Sequence, residues 1–421
     1  MARRKLIIVG AGSAGLSALK QIRRVGCEDD VKLVTMEDYL PYSPTSLPYL
    51  LANKISESDL PIVDDDFFSE MDATLVKGTR VESIDASYKR IIYANGQNES
   101  YDTVLIATGS EPVVEPLLEQ AGIFGFHTIE DYFGLKQLKD KTKIAVLGAG
   151  LVSMELAVAL AEIGHEICII APRERILRRY FDTEAGTCIV GLFAEHSISI
   201  NLNWGEAAEV KKAQNTTEVT FASGKTLDTE VIISCTGVQP RISFLSGSKI
   251  KINKGILVDN KMEANIPGVF ATGDVAEAPD FLSGRNGLAL TLPSAVEQGK
   301  VAGSNMAGEE VVYEGWLPMN IFNFFGHLAL SVGKSEPDEG EQVFVKKEPE
   351  QRRYRKLIFN NDRLVGATFL DTDVDGGVFQ YLIRKKLNIG NYKEALLEEP
   401  KDVALWFMLE AERKESLPLE A

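Results

Sequence analysis

The segment KLIIVGAGSAGL, Lys5 to Leu16, decides the fold of this chain. Leu6 to Val9 form the short, uninterrupted apolar run of a strand buried on both faces. Gly10, Gly12 and Gly15 follow, and a helical pattern opens at Leu16. Each glycine has its own job in such a unit. One makes the tight turn, one lets a pyrophosphate reach the backbone, and one lets the helix pack close to the strand. The phosphates then sit on the free N–H groups at the helix N-terminus. An acid, Glu37, stands 22 residues after Gly15, at the end of the apolar run Val31 to Met36, a spacing that suits a ribose hydroxyl. The pattern of glycines alone is a weak signal; strand, turn, helix and acid together read as a dinucleotide site.

The same theme returns in KIAVLGAGLVSMELA, Lys143 to Ala157. Ile144 to Leu147 is the strand, Gly148 and Gly150 begin the turn, and Ser153 replaces the third glycine with a residue still small enough to keep the helix close. Glu155 falls on the first turns of that helix. Two such units in one chain imply two dinucleotides. The second departs from the NAD pattern: its next strand, Glu166 to Ile170, ends in Ala171 instead of an acid and is followed by Pro172, Arg173, Glu174 and Arg175. A missing acid beside arginine suits a 2′-phosphate, whereas Glu174 can reach a ribose from a shifted loop, so NADH and NADPH both stay open.

Three further segments end a strand in small residues that permit a ligand to approach the backbone: Ala107-Thr108-Gly109 before Pro112, Thr236-Gly237, and Thr272-Gly273 leading to Asp274. A helix is expected within Leu290 to Gly308 with its N-terminus near Ser294, and a mainly strand-forming module from Tyr313 onward, closed by an apolar helix face at Val403 to Leu409. Between Glu37 and Ile55, prolines 41, 44 and 48 break any helix before Leu47 and make a rigid loop.

Composition narrows the class. The 421 residues are 45% hydrophobic and 25% charged, as expected of a globular chain of two or three domains. A net charge of −16 argues against nucleic acid or an anionic membrane as partner. MARRK runs straight into a strand and no apolar run is long enough to span a bilayer, so a cytoplasmic protein without a signal peptide is expected. Cys27, Cys168, Cys188 and Cys235 are scattered and His127, His165, His196 and His327 form no cluster, so no bound metal and no disulfide is expected.

With both glycine turns, ATGSEP, TGVQP and ATGDVA in this order, the chain resembles the two-dinucleotide flavoproteins of the pyridine nucleotide-disulfide oxidoreductase superfamily: NADH oxidases, rubredoxin and ferredoxin reductases, and coenzyme A disulfide reductases. The resemblance runs over nearly the whole length. It implies an α/β fold of two Rossmann-like domains, one for FAD and one for NAD(P), plus a C-terminal α+β interface domain. The FAD domain would be split (1–112 and 246–315) around an NAD(P) domain (113–245), with the interface domain at 316–421. FAD would be bound by Gly10, Gly12, Ala14, Gly15, Glu37, Thr45, Ala107, Thr108, Gly109, Gly273 and Asp274. NAD(H) or NADP(H) would be bound by Gly148, Gly150, Ser153, Glu155, Arg173 and Gly237.

One departure bears on the chemistry. Members that reduce disulfides or peroxide carry a redox cysteine in the loop that here reads YSPTSLPY, and Thr45 occupies that slot. No protein group is then expected to act catalytically, and the flavin exchanges electrons directly with an iron–sulfur, ferredoxin- or rubredoxin-type protein. The loop and C-terminal module also look similar to the flavoprotein subunit of multi-subunit 2-oxoacid oxidoreductases such as phenylglyoxylate dehydrogenase. Two alternatives are a free-standing NADH oxidase making hydrogen peroxide and a non-catalytic flavoprotein with a role in assembly. A homo- or hetero-oligomer is compatible with all three.

Overall fold

A computed structural model describes residues 3–113, 116–120, 125–214 and 216–416. The chain packs as two compact units: Met1–Val113 with His127–Tyr132 and Gly237–Trp316, and Val114–Phe126 with Phe133–Thr236 and Leu317–Ala421. Among the described residues no helix is long and apolar enough to cross a membrane.

The first unit is built on β1 (Lys5–Val9), α1 (Ser13–Arg24), β2 (Asp30–Val34), β3 (Ala73–Val76) and β4 (Thr103–Ile106). With Val269–Ala271 these strands make a five-stranded parallel sheet in the order Val269–Ala271, β4, β1, β2, β3. The central strand, β1, is flanked in register by Leu6 opposite Val31 and Thr103. Leu6, Ile7 and Ile8 are 0–1% exposed, and such side chains contribute about 1.5–3 kcal/mol each on burial. The strand β2 ends at Val34, two residues before the Met36 expected from the apolar run; beyond it the Thr35 N–H still donates to Val76 O and the Gly78 N–H to Glu37 O.

Helix Leu292–Met306 lies on α1, and two of its glycines explain how closely. A Cβ at Gly299 would stand 2.3 Å from Ala14 O, and one at Gly303 2.5 Å from Ala18 O. Any side chain there would push the two helices apart and disturb the start of α1. The helix expected from the sequence is therefore present, set by a packing requirement that its glycines satisfy.

The second unit repeats the arrangement with β5 (Lys143–Leu147), α2 (Leu151–Glu162), β6 (Glu166–Ile170), α3 (Thr183–Glu195), β7 (Ser199–Asn201) and β8 (Val231–Ser234). Its parallel sheet runs β7, β6, β5, β8. The same unit contains a five-stranded antiparallel sheet in the order Met319–Phe324, His327–Gly333, Arg363–Leu370, Arg353–Asn360, Gln342–Glu348, followed by helices Gly376–Arg384 and Pro400–Ser416. The first hairpin turns at Phe325 and Gly326, with φ of 54° and 87°, the pair of left-handed residues that a two-residue hairpin needs. Asp182 at the N-cap of α3 joins the parts of this unit. Its carboxylate accepts from the Ala185 N–H (2.9 Å), the Tyr354 hydroxyl (2.6 Å) and Lys356 Nζ (2.7 Å). Burial alone would push the Asp182 carboxyl up, yet these donors outweigh it and hold it below the ordinary carboxylate range.

Candidate functional site

The first cradle follows β1. Gly10 has φ +109°, and a Cβ there would stand 2.1 Å from Ala107 O; a Cβ on Gly15 would stand 2.1 Å from Gly10 O. Only glycine fits either position. At Gly12 the reverse holds, since no atom lies within 4 Å of the place a Cβ would take. Gly12 is the N-cap of α1, no side chain caps it, and the first turn carries no acid. The first helical hydrogen bond is Leu16 N–H to Gly12 O, so the preceding N–H groups have no helical acceptor. Open space in front of uncapped N–H groups with the positive end of a helix behind them suits a phosphate.

The remaining residues expected in the first site all lie in the same unit. Ala107 continues β4, its N–H donating to Val9 O (2.8 Å), and the Thr108 hydroxyl donates to Arg241 O (3.0 Å). The carboxylate of Asp274 accepts from the Ser110 hydroxyl (2.7 Å) and is pushed up by burial. The Gly273 N–H donates to Gln298 Oε1 (2.8 Å), and Gln298, fully buried, keeps Nε2 without a partner among the described residues. Glu37 accepts from the Tyr42 hydroxyl at 3.2 Å, and burial raises its pKa. The same Tyr42 oxygen accepts the Ile129 N–H (3.1 Å). These residues fit a dinucleotide: a pyrophosphate cradle, a partly buried carboxylate beyond β2, and a buried amide donor left over at Gly273.

The loop that carries Thr45 contains a short 3-10 turn, Pro44–Ser46, and then the brief helix Leu47–Leu51. Thr45 Oγ1 is 2.7 Å from the Ser43 hydroxyl, and Thr45 is exposed. All four cysteines lie outside this loop. A cleft of about 510 Å³ runs along α1, lined by Ser13, Ser17, Lys20, Arg24, Ser43 and Lys300.

The second cradle copies the first. Gly148 has φ +111°, and a Cβ there would meet Cys235 O at 2.3 Å and Ser153 Oγ at 3.1 Å. Ser153 is fully buried and its hydroxyl donates to Cys235 O (3.4 Å), so the replacement of the third glycine is absorbed by a hydrogen bond. Gly150 is the uncapped N-cap of α2, with open space where its Cβ would be. Glu155, one turn further, is half-buried, and burial pushes its carboxyl up to about 7. Arg173 is exposed, in the loop after β6. Of the residues expected at this cradle, Gly237 alone falls in the first unit, where its carbonyl accepts the Val113 N–H (2.9 Å).

Sequence reasoning overlooked several neighbours. His127 is brought to the first unit with Nε2 3.1 Å from Ser110 O, and burial lowers its pKa. Nothing near His127 in the sequence points to Ser110 or Asp274, because the chain enters this unit only briefly at residues 127–132, between its longer stretches 1–113 and 237–316. The basic wall of the cleft did carry a signal: Ser13, Ser17, Lys20 and Arg24 recur at helical spacing along α1. Among the described residues no group of three His, Cys, Asp or Glu is placed to hold a metal.

Comparison with known proteins identifies the family. The family described as pyridine nucleotide-disulphide oxidoreductase matches residues 4–299, and the rubredoxin NAD+ reductase C-terminal domain matches residues 318–387. The epsilon subunit of NADH-dependent phenylglyoxylate dehydrogenase from Aromatoleum evansii is 31% identical over 402 residues, 94% of this chain and 95% of the relative. An NADH oxidase from Methanocaldococcus jannaschii is 30% identical over 73% of this chain and 71% of its own length. Among solved structures, NADH:rubredoxin oxidoreductase from Clostridium acetobutylicum superposes with a TM-score of 0.76 at 25% identity, covering 96% of this chain and 99% of that one. The reductase of the covalent putidaredoxin reductase–putidaredoxin complex shares the fold, with a TM-score of 0.88 at 21% identity over 98% of this chain and 100% of that one. The chain therefore belongs to the pyridine nucleotide-disulphide oxidoreductase family, as an FAD-dependent NAD(P)H oxidoreductase.

Proposed function

We propose that the chain transfers electrons between a nicotinamide nucleotide and an iron–sulfur or rubredoxin-type protein. In this reading residues 1–112 and 246–315 hold FAD, residues 113–245 bind the nucleotide, and residues 316–421 form an interface domain. The observation that carries it is a hydroxyl, Thr45, in the loop slot of the redox cysteine, together with two glycine cradles. A threonine forms neither a disulfide nor a sulfenate, so a thiol-based acceptor step has no group to run on. The match of residues 318–387 to the C-terminal domain of rubredoxin reductases supports the class of partner.

Bound FAD supplies the exchange between a two-electron nicotinamide and a one-electron carrier, and this chain supplies placement and electrostatics. The N–H groups at the start of α1 hold the pyrophosphate, and the carboxylate of Glu37 accepts from a ribose hydroxyl beside the Tyr42 hydroxyl. Asp274 and the free amide of Gln298 complete the polar lining near Gly273. At the second cradle Gly148, Gly150 and Ser153 let the nucleotide approach the start of α2, and Glu155 lies one turn along.

The similarity to the phenylglyoxylate dehydrogenase subunit over 94% of the chain favours a second, narrower reading: the flavoprotein subunit of a 2-oxoacid oxidoreductase. The match to an NADH oxidase supports the rival, a free-standing enzyme that reduces dioxygen. Anaerobic mixing with NADH or NADPH in a stopped-flow spectrometer should bleach the flavin rapidly, and oxidised rubredoxin or ferredoxin should restore its colour faster than air. Failure of both nucleotides to bleach the flavin refutes the proposal. Faster return in air than with either carrier turns it to the oxidase.

A further inference from the structure

We propose that the second cradle selects the 2′-phosphorylated nucleotide, NADP(H), through Arg173 and Arg178 on the loop after β6. The inference rests on the reading of residues 113–245 as the nicotinamide nucleotide domain and adds to it the identity of the nucleotide.

The strand β6 delivers Ala171 to the position where an acid would accept the adenine-ribose hydroxyls. Ala171 is 1% exposed, and its N–H donates to Asn201 O (2.8 Å). Its methyl group neither accepts a hydroxyl nor repels a phosphate. The loop that follows is fixed from two sides. The carbonyls of Ala171, Pro172 and Arg173 accept the N–H groups of Trp204, Gly205 and Asn203 at 3.2, 3.2 and 3.0 Å. At its far end the Leu177 N–H donates to Ala149 O at 2.8 Å. Ala149 lies between Gly148 and Gly150, so the loop is tied to the glycine turn itself.

This tethered loop concentrates positive charge. Arg173, Arg175, Arg178 and Arg179 fall within seven residues of a chain whose net charge is −16. Arg175 is paired with Glu336 at 2.5 Å. Among the described residues no carboxylate pairs with Arg173, Arg178 or Arg179, although the chain has 61 Asp and Glu to draw on. Partial burial and then the neighbouring Arg173, Arg179 and Arg175 push the Arg178 guanidinium below its usual pKa. Guanidinium groups without a carboxylate partner, on a loop whose backbone is tied to a phosphate turn and with no acid at the strand end, are what a dianionic phosphomonoester on the ribose requires. Glu174, exposed in the same loop, is the one residue that favours the other nucleotide.

The test is isothermal titration of the flavin-containing full chain with NADP+ against NAD+, and with adenosine 2′,5′-bisphosphate against 5′-AMP. The 2′-phosphorylated member of each pair should bind roughly ten- to hundredfold tighter, the value of one or two charge-assisted contacts. Arg173→Ala and Arg178→Gln should each lose most of that preference, and Ala171→Asp should reverse it. Retained flavin and an unchanged circular dichroism spectrum show that each variant is folded. Equal or tighter binding of NAD+ overturns the inference while leaving the nucleotide domain standing, as does a preference that survives both arginine substitutions. Binding of none of the four overturns the nucleotide-domain reading itself.

Discussion

Glu155 offers a prediction whose sign and size both follow from its surroundings. The carboxyl sits on α2 with no cation paired to it among the described residues, and burial moves it from 4.5 to about 7. A group whose pKa is raised on folding contributes stability that is complete below its unfolded value and is lost as pH rises through the folded value. For Glu155 that window runs from 4.5 to about 7. At ~1.36 kcal/mol for each pH unit, the loss across it is about 3 kcal/mol. Glu155→Gln removes the titration while keeping the shape and a donor. Urea unfolding of both proteins without nucleotide, from pH 4 to pH 8.5, gives the difference curve. The wild type should fall relative to the variant by about 3 kcal/mol between the two plateaus. A difference curve that stays flat to within ~0.5 kcal/mol, the scale of an inconsequential substitution, refutes the reasoning.

Two further substitutions probe the scaffold. Gly10→Ala would place a methyl group 2.1 Å from Ala107 O at φ +109°, whereas Gly12→Ala meets no atom within 4 Å. The first should lower the melting temperature and flavin content together; the second should fold normally and retain less flavin, because its methyl group occupies only the ligand's space. Equal melting temperatures for the two would contradict the steric account. Lys356→Met leaves the carboxylate of Asp182 buried with one donor fewer, in a pair whose side chains are only 6% and 10% exposed. It should destabilise the second unit by about 3–5 kcal/mol, and Asp182→Asn in the same chain should recover part of that loss. A single variant within ~0.5 kcal/mol of wild type by urea unfolding would show the pair to be inconsequential.

The sequence by itself determined the repeated strand–turn–helix units, because their constraint is local. Gly10 and Gly148 are required by left-handed backbone and by a carbonyl a few ångströms away, and residue type alone announces such positions. The uninterrupted apolar run Leu6 to Val9 announced a strand buried on both faces, which lies in a parallel sheet, and the sequence after Tyr313 announced a strand-forming module, which is the antiparallel one. The absence of cysteine from the loop at Thr45 was equally plain.

Only the tertiary structure decided what meets what. The carboxylate of Glu37 shares the Tyr42 hydroxyl, which in turn accepts the Ile129 N–H, 87 residues further along the chain. Ser110 reaches Asp274 across 164 residues, and Tyr354 reaches Asp182 across 172. In the sequence the arginines after β6 are only near a missing acid; the bond from Leu177 to Ala149 ties their loop to the second glycine turn. The physical reason is the range of the forces involved. Backbone sterics and side-chain period act over a few residues and leave their mark in the local sequence. Hydrogen bonds and charge pairs between distant segments depend on how whole strands and helices pack, and no short window of sequence contains that information.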